Sequence, residues 1–140
     1  MPYLNIKIAA PASRETYTKV ANLLTKLTAS ILGKKRELTA VTVEFIEPQQ
    51  WFIGGIPLEQ LQANSFYLDI KVTEGTNTKN EKSEYVQHVF VGMEEILGNI
   101  APASYIVIHE VAADAWGYQG QTQEYRYNQG QIAVSRITPR

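Results

Sequence analysis

The chain has 140 residues, a formal net charge of -1 with acidic and basic residues interspersed, and no cysteine. That balance leaves no basic footprint for nucleic acid, no apolar run approaches the roughly 18 residues of a membrane span, and disulfides, thiol nucleophiles and cysteine–zinc sites are excluded. The length suits one domain, 1–140, and without a charged start leading into an apolar stretch and a small-residue cleavage site the expected location is the cytoplasm.

In chain order, Tyr3-Leu4-Asn5-Ile6-Lys7-Ile8 alternates apolar and polar residues, which predicts a strand with one buried face, and Pro2 stands at its first position. Ser13 as N-cap, apolar residues at Tyr17, Val20, Ala21, Leu24, Leu27 and Ile31, and Gly33 beyond them predict a helix with a defined start and stop. A second strand follows at Ala40–Ile46, and Trp51-Phe52-Ile53-Gly54-Gly55 predicts a tight hairpin beside a large ring.

The chain then repeats itself. Tyr67-Leu68-Asp69-Ile70-Lys71-Val72 matches the first strand 64 residues later, identical at four of six positions. A helix with Val86, Val89, Phe90, Met93, Ile96 and Leu97 on its face and Gly98 at its end follows, then a strand at Ser104–Val111 and the segment Trp116-Gly117-Tyr118-Gln119-Gly120. Two tandem β-α-β units, 2–55 and 66–120, predict an α/β (α+β) fold: a four-stranded mixed sheet, parallel within each unit, with two helices on one face. The strands supply apolar residues in both registers (Leu4 and Ile6 against Ile8 and Tyr3; Ile106 and Ile108 against Tyr105 and Val107), so the second face is expected to need cover, most simply by association into a ring. The tail, 121–140, is polar and lacks helical periodicity, with Gln131–Ser135 read as an edge strand for a neighbour.

Pro2 has no counterpart in the repeat, where Phe66 stands, so the strand itself does not require proline. Proline is tolerated at a strand start, but removal of an initiator Met1 would turn it into a free secondary amine. Burial and a nearby cation would push that amine's pKa down, making it an uncharged base near neutral pH in a pocket suited to an anionic substrate.

An N-terminal proline, paired β-α-β units and aromatic-glycine hairpins together resemble the tautomerase superfamily over about the first 120 residues, most closely the macrophage migration inhibitory factor and cis-3-chloroacrylic acid dehalogenase groups. The resemblance implies a homotrimer of doubled units, catalysis by Pro2 as general base, and no cofactor or metal. It further implies that Lys34, after Gly33, holds a substrate carboxylate, that Tyr105 serves a neighbouring chain's pocket, and that the rings of Trp51 and Trp116 line the site. The arginines of the single-unit tautomerases align with Ala12 and Thr42. Those of the dehalogenase group align with Thr73 and Thr76, its helix histidine with Thr28 and its strand tyrosine with Val107, so Thr73 and Thr76 are expected at the substrate without the charge.

Arg14, Lys35, Arg36 and Arg126 are candidate substitute cations, while His88 and His109 are expected to be structural and Asp69, Glu44 and Glu110 have no metal-site spacing. The resulting expectation is a tautomerase interconverting keto and enol forms of a small 2-oxo acid, with neither nucleic acid nor membrane as partner. Two rivals stand beside it: a related lyase (dehalogenase, hydratase or decarboxylase) and a non-catalytic trimeric scaffold for binding or signalling.

Overall fold

The computed structural model describes the backbone of residues 1–137 and the side chains of residues 1–132. The predicted repeat is present. Strand β1 (Tyr3–Ala9), helix α1 (Arg14–Ser30) and strand β2 (Ala40–Phe45) form the first unit, closed by a hairpin of β3 (Phe52–Ile53) and β4 (Ile56–Pro57) and a single turn, α2 (Leu58–Leu61). Strand β5 (Ser65–Thr73), helix α3 (Lys79–Leu97) and strand β6 (Tyr105–Val111) form the second, closed by the hairpin β7 (Gly117–Tyr118) and β8 (Gln121–Thr122) and by helix α4 (Gln123–Ile137).

The sheet runs β2-β1-β5-β6, parallel within each unit and antiparallel at the central pair. There Asn5 lies opposite Asp69, which is its own repeat mate, so a pseudo-two-fold axis passes between these two residues. Both hairpins turn on two residues with positive φ, Gly54-Gly55 and Gln119-Gly120, the backbone that matches the twist of the flanking strands. Each is locked by the same backbone bond: Leu58 N–H donates to Trp51 O at 2.9 Å, and Gln123 N–H donates to Trp116 O at 2.8 Å.

Leu4, Ile6 and Ile8 alternate along β1, and Phe66, Leu68, Ile70 and Val72 along β5, so all seven point to one face and are fully buried beneath α1 and α3. Burying each such side chain is worth about 1.5–3 kcal/mol relative to exposure. Ser13 caps α1 as expected, its hydroxyl accepting from Thr16 N–H at 3.0 Å, and Thr78 and Glu81 cap α3 reciprocally. The buried face of α3 is Tyr85, Val89, Gly92 and Met93; Val86 is exposed, and Tyr85 is accommodated because its hydroxyl bonds Thr28 at 2.9 Å between the helices. At Gly92 an added Cβ would stand 2.7 Å from Leu23 Cδ2, which is how closely α1 and α3 approach.

Two expectations are corrected. The second face of the sheet is not apolar in both registers: Ile8 shares the buried face with Leu4 and Ile6, leaving Asn5, Lys7, Thr42, Glu44, Asp69, Lys71 and His109 outward among three tyrosines and Val107. Asp69 there pairs with Lys71 at 3.3 Å and His109 at 3.2 Å. The tail is not a strand: Gln131–Ser135 falls inside α4, which starts where Thr122 Oγ1 accepts from Tyr125 N–H at 3.0 Å. Residues 138–140 of that tail lie outside the described residues. Among the described residues no helix is long and apolar enough to cross a membrane.

Candidate active site

Sheet register decides which residues meet. Because Tyr3 pairs with Ala40 on one side and Lys71 on the other, the start of β2 and the end of β5 both lie beside Pro2. Helix α1 must run back along β1 to reach β2, so it delivers Gly33 and Lys34 to the same end. Thr73 pairs with Val111, so β6 also ends there and carries the chain into Trp116. Pro2, Lys34, Thr73 with Thr76, and Trp116 therefore converge from four separate segments.

Pro2 is buried, and its carbonyl accepts from Ala40 N–H at 3.3 Å. Met1 lines a cleft of about 500 Å³ with Lys34, Thr73, Thr76, Gln123 and Tyr127, and an adjoining one of about 240 Å³ with Gly33, Lys34, Lys35, Gln123 and Arg126. Lys34 Nζ donates to Thr76 Oγ1 at 2.7 Å, and Thr76 Oγ1 donates to the backbone carbonyl of Thr73 at 2.6 Å, so the Thr76 hydroxyl is a neutral support for the lysine and Thr73 contributes only its backbone. Asn77 Nδ2 ties that loop to the end of α1 by donating to Leu32 O at 2.9 Å.

Burial holds the Lys34 ammonium below its ordinary pKa, with Glu81 partly offsetting it. Burial, then Lys34, then Arg126 lower the α-amino group of Met1 in the same way. An amine at this end of β1 is thus driven toward its neutral form.

Of the four candidate cations, Arg126 is the one that reaches the cleft as a partly buried group. Its guanidinium lies 4.4 Å from the Tyr118 ring centroid, and its Nη1 donates to Gln123 Oε1 at 3.2 Å. Lys35 stands exposed at the rim, and Arg14 begins α1 at the opposite end of the sheet. Gln123 was not anticipated from the sequence: its Oε1 is taken by Arg126, and its Nε2 is buried without a partner. The Thr122 cap was the available signal for the helix that carries it.

Trp51 and Tyr105 are not at this site within the chain. Trp51 follows Phe45, which pairs with Ile8, and Tyr105 pairs with Tyr67, so both lie at the far end of the sheet. Tyr105 is 59% exposed there, open to another molecule. Thr28 is buried against Tyr85, away from the cleft, and His88 sits on the exposed face of α3 with Nδ1 2.9 Å from Glu84 O.

Residues 67–125 match a family model described as Tautomerase enzyme. Solved structures match over most of the chain. A native fused 4-OT superposes with a TM-score of 0.79 at 17% identity, covering 88% of this chain and 97% of that one. A macrophage migration inhibitory factor homologue from Prochlorococcus marinus gives 0.70 at 25% identity, covering 86% and 97%. A protein described as Pt0534 inactivated by 2-oxo-3-pentynoate gives 0.79 at 11% identity, covering 89% and 98%. Another fused 4-OT in this group is described as an asymmetric trimer, with a TM-score of 0.78 at 14% identity over 89% of this chain and 98% of that one. A comparison with curated proteins finds no match.

Proposed function

We propose that the chain is a cofactor-independent tautomerase acting on the keto and enol forms of a small 2-oxo acid, with Pro2 as general base once Met1 is removed, a reading supported by the match of residues 67–125 to the tautomerase family model and by the shared fold. The observation that carries this reading is the convergence of two cations, Lys34 and Arg126, on the amine end of β1 beside a cleft of about 500 Å³. The depression already acting on the Met1 amine would act on the buried Pro2 nitrogen one residue deeper.

In the reaction, the neutral Pro2 amine takes the enol O–H proton. The oxygen lone pair then forms the C=O bond while the C=C π pair accepts the proton from the Pro2 ammonium at the adjacent carbon. No atom is gained or lost, and a positioned base supplies about 10²–10⁴ in rate. Lys34 and Arg126 hold the carboxylate.

The same reading assembles the chain as a homotrimer. Among the described residues the sheet's outer strands, β2 and β6, each have one unpaired edge, and Tyr105 is exposed at the end away from its own Pro2. The lyase reading draws no support from Thr73 and Thr76, whose hydroxyls carry no charge.

Three measurements test this. Intact mass should read the chain without Met1, and Pro2→Ala should lower phenylenolpyruvate ketonisation at least 100-fold. In addition, 2-oxo-3-pentynoate, whose alkyne conjugated to the 2-oxo group accepts a neutral amine by addition, should add its own mass to the peptide beginning at Pro2. Equal ketonisation by wild type and Pro2→Ala would refute the assignment of the base.

A further inference from the structure

We infer that the indole N–H of Trp116 is a catalytic hydrogen-bond donor, and that it receives the substrate's 2-oxo oxygen as that oxygen becomes an enolate. The inference rests on the reading of Pro2 as the base, and it adds to that reading the group that stabilises the charge the base creates.

Trp116 Nε1–H donates to the Met1 carbonyl oxygen at 2.7 Å. That oxygen belongs to the amide whose nitrogen is Pro2 N, so covalent geometry fixes it about 2.3 Å from that nitrogen. The indole donor therefore lies within about 5 Å of the proposed base, by adding the two lengths. When Met1 leaves, the oxygen leaves with it, and the donor remains aimed at the space beside the freed amine.

A substrate in reacting position has its carbon about 3–3.5 Å from the base. Its 2-oxo oxygen, one or two bonds further on, falls in the region that the Met1 carbonyl occupied. The Met1 amide is thus an internal stand-in for the substrate: a carbonyl oxygen, next to the reacting nitrogen, already hydrogen-bonded as an enolate would be.

Two further observations fit. The indole N–H only donates, so it can stabilise an oxyanion without competing with Pro2 for the proton. It is also held ready, since the Trp116 backbone is locked by its bond to Gln123 N–H and by the Gln119-Gly120 turn. Secondly, Gln123 Nε2 is a buried donor without a partner on the same cleft. Its orientation is fixed because Arg126, which only donates, already takes Oε1. A second neutral donor therefore belongs to a residue that lines the cleft with Met1.

The test uses Trp116→Phe, which keeps a ring and deletes the N–H, in protein shown by mass to lack Met1. Removing one such donor costs about 10²–10³ in kcat. The expected result is a fall of at least 100-fold in kcat for phenylenolpyruvate ketonisation, with KM and the acidic limb of the pH profile little changed, because Lys34, Arg126 and Pro2 are untouched. An unchanged kcat, or a change in KM alone, would overturn the inference and reduce Trp116 to a packing surface. If Pro2→Ala also keeps full activity, it is the base assignment that has failed; if Pro2→Ala is inactive and Trp116→Phe is not, only the donor has.

A second readout leaves the wild-type fold intact. The chain has two tryptophans, so an indole ¹H–¹⁵N spectrum contains two cross-peaks, assigned with Trp51→Phe. Saturation with oxalate, a planar enolate mimic, should move the Trp116 peak and leave Trp51 in place. Movement of the Trp51 peak alone would count against Trp116.

Discussion

Lys34 and Thr76 are joined across the mouth of the cleft, Nζ to Oγ1 at 2.7 Å, so the end of α1 and the loop after β5 present the lysine as one unit. Thr76→Val should leave the charge and remove its support, raising KM several-fold with kcat nearly intact. Lys34→Ala removes the charge itself and should raise KM at least ten-fold, read from steady-state ketonisation.

The same lysine adds to the effect of burial on the pH dependence. A cation near an amine disfavours the protonated form and lowers its pKa, as Lys34 and Arg126 do for the amine of Met1. Activity should therefore rise with pH as Pro2 loses its proton, with a midpoint below that of an ordinary proline amine. Lys34→Ala and Arg126→Ala should each move the acidic limb of kcat/KM to higher pH, and Lys34→Arg should restore it.

Arg126 is stacked on Tyr118 and bonded to Gln123, so its planar head is fixed in place. Arg126→Lys keeps the charge but loses both contacts. It should recover less than half of the binding lost in Arg126→Ala, measured as the inhibition constant of a 2-oxo acid product.

Tyr85 and Thr28 form a buried pair between the helices, and burial raises the Tyr85 pKa from 10.0 to about 12. The unfolded chain releases this proton first, so stability falls as pH rises from about 10 towards 12. Urea unfolding should show that loss in wild type and not in Tyr85→Phe. At pH 7 the variant should be less stable by about 1–3 kcal/mol, because the Thr28 hydroxyl is left buried without its partner.

The two hairpins give an internal control. Gly55 and Gly120 have φ of 78° and 79°, where a β-branched residue is strained, at about 1–2 kcal/mol for the left-handed conformation. Gly55→Val and Gly120→Val should lose similar stability in thermal unfolding. Only Gly120→Val should lose activity, about ten-fold or more, because that hairpin carries Trp116.

The β-α-β units were legible because their signals are local: period-two alternation in Leu4-Ile6-Ile8, Ser13 as a cap, Gly33 and Gly98 as stops. Other features depend on contacts far apart in sequence. Tyr85 is missing from the expected apolar face of α3, where Val86 is named instead, because the partner of its hydroxyl, Thr28, is 57 residues away. Helix α4 has no apolar stripe to announce it, and its first turn is held by the Arg126–Tyr118 stack and the Gln123–Trp116 bond. Trp51 and Trp116 look alike in sequence because the chain repeats. The antiparallel pairing of β1 with β5 is what sends them to opposite ends, and no local pattern encodes it.

The pseudo-two-fold axis through Asn5 and Asp69 makes those two ends architectural equals, yet their contents differ. At the far end the chain passes uninterrupted through Ala63, Asn64 and Ser65, beside a cavity lined by Ile53, Leu61, Ile100 and Pro102 with no charged residue on its walls. Chemical polarity therefore belongs to the order in which the halves are translated. A permuted gene that began with the second half would fold into much the same outline, but its leading nitrogen would emerge in a greasy, uncharged hollow, and the cations beside Pro2 would be left with nothing to tune.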